Sequence, residues 1–92
     1  MVTGIVFLNA ERKSINSVAQ AVVEIDGISE VYSVGGKYDL IAIIRARDTD
    51  HIADVVTDHL LKVDGITSSE TLIAFKVYSK HDLEQMFSIG FE

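Results

Sequence analysis

One six-residue phrase occurs twice, and it constrains the fold more than any other feature. Glu24-Ile25-Asp26-Gly27-Ile28-Ser29 is echoed by Lys62-Val63-Asp64-Gly65-Ile66-Thr67, with the two glycines 38 positions apart. A glycine just past a helix takes the left-handed backbone conformation readily and ends the helix there. A helical pattern precedes each copy. Ile15, Val18, Ala19, Val22 and Ile25 recur at helical spacing before the first, with Gln20 and Glu24 off the stripe. Ile52, Val55, Val56, Leu60 and Val63 do the same before the second. Thr49 is the expected N-cap of this second helix, with Asp50 favoured in its first turn, and Asp58 and Lys62 form a supporting i,i+4 pair.

Apolar, β-rich runs surround these helices. Thr3–Asn9 is the expected first strand, Ile28–Val34 the second, Tyr38–Arg47 the third and Glu70–Tyr78 the fourth. Gly35-Gly36-Lys37 is too short for anything but a hairpin turn. Ser79 and Asp82 resemble a capping box, so a final short helix is expected over residues 80–88. The order is βα-ββα-β. Two such halves make an α+β, ferredoxin-like βαββαβ sandwich, a four-stranded antiparallel sheet with two helices on one face. Residues 1–78 form this domain and 79–92 its tail.

The helices cover only one sheet face, yet the strands are apolar on both. A large exposed apolar patch needs a partner. Either a second copy packs sheet to sheet, or the tail folds over with Met86, Phe87, Ile89 and Phe91. Four large side chains are too few for a whole sheet, which favours the dimer.

Composition narrows the function. Ninety-two residues make one domain. With no cysteine there is no disulfide, thiolate metal site or cysteine nucleophile. A net charge of −6 argues against non-specific nucleic-acid binding. No apolar run reaches membrane-spanning length, and Met1-Val2-Thr3-Gly4 does not begin a secretory signal. His51 and His59 are two helical turns apart and cannot share a metal ion, and His81 stands alone. No serine lies in a Gly-x-Ser-x-Gly turn. No catalytic residue, metal site or cofactor is therefore assigned.

One stretch does fit a ligand. Gly35 and Gly36 present backbone amides unobstructed, suited to a carboxylate. Asp39 suits an ammonium, Tyr38 offers a flat wall with a hydroxyl, and Lys37 reaches a carboxylate. A carboxylate receptor beside an ammonium receptor is what a free α-amino acid requires. Taken alone, most such turns are only hairpins with an aspartate stabilising them. Thr67, Ser68, Ser69, Glu70 and Thr71 form a second polar set, whose plain reading is a solvated loop.

Residues 3–77 resemble the effector-binding RAM domain of the leucine-responsive/AsnC family of transcriptional regulators. The resemblance is carried by Asp26-Gly27-Ile28, Val31-Tyr32-Ser33-Val34, Gly36-x-Tyr38-Asp39-Leu40, Thr49, and Asp64-Gly65-Ile66 followed by Ser69-x-Thr71-x-Ile73. The family usually has proline before the glycine of both helix-ending turns, where this chain has Asp26 and Asp64. The resemblance implies a non-enzymatic amino-acid-binding module in the cytoplasm. It implies homodimers through the sheets, joined in rings of eight or ten subunits, with an effector between dimers. Gly36, Tyr38 and Asp39 would line one side of that site, beside Gly35 of the same turn, with Ser69 and Thr71 near the partner side. Full-length members add a helix-turn-helix, whereas this chain looks like the stand-alone form. It would not bind DNA itself and would act by joining full-length regulators. Two alternatives are a small dimeric α+β barrel enzyme, with a polar cavity between helices and sheet, and a structural assembly partner with a vestigial ligand site.

Overall fold

The computed structural model describes residues 1–80. Four strands form one antiparallel sheet: β1 (Val2–Ala10), β2 (Ile28–Ser33), β3 (Leu40–Ala46) and β4 (Ile66–Ala74), in the order β2-β3-β1-β4. Helix α1 (Ile15–Val23) links β1 to β2. Helix α2 (Thr49–Asp54) continues through a π-helical turn, Val55–His59, and a 3₁₀ turn, Leu60–Lys62, before β4. This is the expected βαββαβ sandwich.

Alternation along the strands sorts the two faces. Val6 and Leu8 of β1 and Leu40, Ala42 and Ile44 of β3 point at the helices and are fully buried. Val18 and Val22 of α1, with Ile52, Val55 and Leu60 of the second helical segment, close that core. Each such large side chain contributes about 1.5–3 kcal/mol by leaving water. The other face carries Ile5, Phe7, Ile41 and Ile43, which are only half-buried in the single chain. Tyr32 and Leu72 continue this apolar face toward the two sheet edges and are exposed.

The repeated turns do what their glycines require. Gly27 has φ +98° and Gly65 φ +101°. Each turn packs against the helix of the other half. A Cβ on Gly27 would lie 3.0 Å from Cγ2 of Val55, and one on Gly65 would lie 2.8 Å from Cγ2 of Val18.

Strand β1 differs from its expected bounds by one residue at each end and β2 by one at its C-terminal end, and three other differences matter more. The cap of α2 is Asp48, whose carboxylate accepts from the His51 N–H at 2.8 Å, and Thr49 is the first helical residue. Strand β3 begins at Leu40, because Asp39 belongs to the turn: its N–H donates to the Leu8 carbonyl at 2.9 Å and its carbonyl accepts from the Val34 N–H. Strand β4 lies four residues earlier than expected, so Thr67–Thr71 is strand rather than loop. Among the described residues it pairs with β1 alone, as an edge strand, and leaves polar side chains in water, so polarity does not mark it as a loop. The expected tail helix lies, from residue 81 on, outside the described residues.

Candidate functional site

The β2–β3 turn stands at one end of the sheet. Gly36 takes φ +116°, which a side chain would resist. A Cβ added at Gly35 or Gly36 would meet nothing within 4 Å, so this turn faces open space. Among the described residues, the N–H groups of Gly35, Gly36 and Lys37 find no acceptor. Beside them, Asp39 Oδ2 accepts from the Ala10 N–H at 3.0 Å. Its second carboxylate oxygen accepts no hydrogen bond from the described residues. One aspartate thus pins the turn to β1 and keeps an anionic oxygen for a second partner. Burying the carboxylate halfway raises the value of any such partner.

Tyr38 turns the other way, onto the open sheet face. Its ring packs on Phe7 with centroids 4.9 Å apart and planes at 39°. Its hydroxyl donates to Glu70 Oε2 at 2.6 Å. Lys37 Nζ lies 5.7 Å from the same ring. The hydrogen bond to Glu70, then desolvation, then the negative charge raise the Tyr38 phenol above its ordinary value of 10.0. Tyr32 is raised in the same way by Glu30, on the opposite edge of that face.

Ser69 and Thr71 are not brought to this turn within one chain. They pair with Leu8 and Val6, so both point to the helix side of β4. Ser69 stands two strands from Leu40, about 10 Å at the usual strand spacing. Thr71 lines a separate apolar groove of about 260 Å³ with Ile52, Ala53, Val56 and Ile73, alongside the π-helical turn. A wider hollow of about 340 Å³ lies at the far end of the open face, by Ile5, Arg45, Phe75 and Lys76. Sequence reasoning missed the part played by Glu70. The Phe7–Glu70 register that puts it beside Tyr38 is fixed by long-range pairing, which no local pattern reports.

The layer between helices and sheet, where a barrel enzyme of this topology would hold substrate, is filled by Val6, Leu8, Leu40, Ala42 and Ile44 at 0 % exposure. Among the described residues no three acidic or histidine side chains gather to hold a metal. No helix among them is long and apolar enough to cross a membrane.

The fold and turn define a ferredoxin-like α+β module with a filled core and one sheet face that the described residues leave uncovered. The chain belongs to the Lrp/AsnC ligand-binding domain family, whose model matches residues 3–83. It is similar to the HTH-type transcriptional regulator LrpA1 of Halobacterium salinarum, with 39% identity over 46 residues, 50% of this chain and 32% of that protein. The curated relatives it matches are transcriptional regulators, and the chain spans roughly a third of the length of LrpA1. It is also similar to TTHA0845 of Thermus thermophilus, at TM-score 0.81 and 36% identity, covering 87% of this chain and 100% of that one. The regulator NMB0573 of Neisseria meningitidis, solved as a complex with L-Met, shares the fold at TM-score 0.76 and 14% identity, over 85% of this chain and 52% of that one.

Proposed function

We propose that this chain is a non-enzymatic effector-binding module that senses a free amino acid and works by self-association in the cytoplasm. One observation carries the reading: three amides, at Gly35, Gly36 and Lys37, have no acceptor among the described residues, and the same turn ends on a carboxylate with one oxygen that accepts from none of them. The amides receive the amino acid's carboxylate, and Asp39 receives its ammonium. Tyr38 forms the turn's wall toward the sheet. Ser69 and Thr71, remote from their own turn, serve the turn of a neighbouring subunit. The exposed apolar sheet face supports a dimer, and effectors between dimers favour the higher ring by binding it better than the separate dimers. Mixed rings with full-length regulators would carry the signal to DNA.

Calorimetric titration of the native assembly with each of the twenty standard L-amino acids tests this. Saturable heat is expected with at least one. Asp39→Asn keeps an acceptor for the Ala10 N–H but removes the charge, and it should weaken that binding about tenfold or more. No heat from any amino acid sinks the sensing reading and leaves the structural assembly partner. Unchanged affinity in Asp39→Asn removes Asp39 from the site.

A further inference from the structure

We infer that Tyr38 is a positioning residue that ties the effector turn to the sheet face, so that a second copy seated on that face orders the turn. This rests on the sheet-to-sheet dimer proposed above.

The turn is held unequally. At its far end, Asp39 is fixed to β1 through its N–H on Leu8 and its carboxylate on the Ala10 N–H. At its near end, Gly36 sits in open space in a conformation that tolerates large backbone excursions. Between them, the described side-chain anchor is that of Tyr38, and both its contacts lie on the open face. Phe7, under its ring, is in register with Ile41 on one side and Glu70 on the other. Its hydroxyl reaches Glu70 on the edge strand β4. In a single chain, water competes for that exposed bond. Covering the face removes the water, which strengthens a bond to a charged acceptor and fixes the ring. The segment from Gly36 to Asp39 is then held at three points instead of two. Linkage makes this reciprocal: whatever orders the turn favours the ring position that the second copy covers.

Sedimentation first gives the concentration at which the dimer separates. Amide hydrogen exchange at Val34 and Asp39, whose N–H groups bond to the Asp39 and Leu8 carbonyls and open when the turn opens, is then followed above and below it. Exchange should slow about tenfold on dimerisation, as expected when one hydrogen bond to a charged group becomes fully engaged. Tyr38→Phe keeps the ring on Phe7 and removes the hydroxyl. It should still fold and dimerise, with exchange at these amides no longer responding to dimerisation. Tyr32→Phe alters the same face at the opposite edge, away from the turn, and should keep the response. Exchange that ignores dimerisation in the unmodified protein overturns the coupling and spares the dimer. A response that survives in Tyr38→Phe, or is lost in Tyr32→Phe as well, also overturns it. A monomer at every concentration overturns the dimer and the coupling together.

Discussion

Tyr38 and Glu70 share a short hydrogen bond on a wet surface, and that bond should be visible in a titration. Its folded phenol is raised above 10.0 by the carboxylate it donates to. The folded protein therefore holds this proton more tightly than the unfolded chain does. The bond's stabilisation is fully present below pH 10 and disappears as pH rises through the raised value. Near-ultraviolet titration of the phenolate should show Glu70→Leu returning one tyrosine toward its ordinary value, and an unchanged profile would deny the pair. Single residues were unevenly legible. Gly36 was readable because positive φ needs glycine, and Asp39 because an aspartate at a hairpin turn is suited to accept from a backbone N–H, as it does from Ala10. Glu70 was not, because its partner lies 32 residues away, across a register set only by folding.

At the scale of elements, the duplicated turn was the most legible feature, since a helix stripe ending in Asp-Gly-Ile fixes where a helix stops and a strand starts. How the copies engage each other was hidden, because packing between halves leaves no mark on spacing. Gly65 faces Val18 with Ser14 close by, so Gly65→Ala meets both a positive φ and a Cβ contact of 2.8 Å. It should cost about 2–3 kcal/mol in urea unfolding at fixed protein concentration. Gly35→Ala meets open space and should stay within about 0.5 kcal/mol. Equal losses would contradict the packing of the turn on α1. The second helix was read from its apolar stripe, but its π-helical turn was not, since Ile52, Val55, Val56 and Leu60 fit either winding. The start of strand β4 at Ile66 leaves no apolar signal, because an edge strand can be polar where a central one cannot.

For the whole molecule, the legible point was the mismatch of two helices against a sheet apolar on both sides. Ile43 lies mid-sheet on the uncovered face, between Glu30 and Ile5 in register. Ile43→Glu keeps the charge in water in a single chain but strands it in a sheet-to-sheet dimer, at about 3–5 kcal/mol per buried unpaired charge. Sedimentation velocity should then find monomers that still unfold cooperatively, and a persistent dimer would move the interface elsewhere. The strand order has one more consequence, for the ribosome. β1 is made first yet sits in the sheet's interior, with neighbours that end only at Ala46 and Ala74. One backbone edge of β1 waits for β3 and the other waits for β4. A nascent chain therefore carries an apolar strand with one bare edge until β4 emerges.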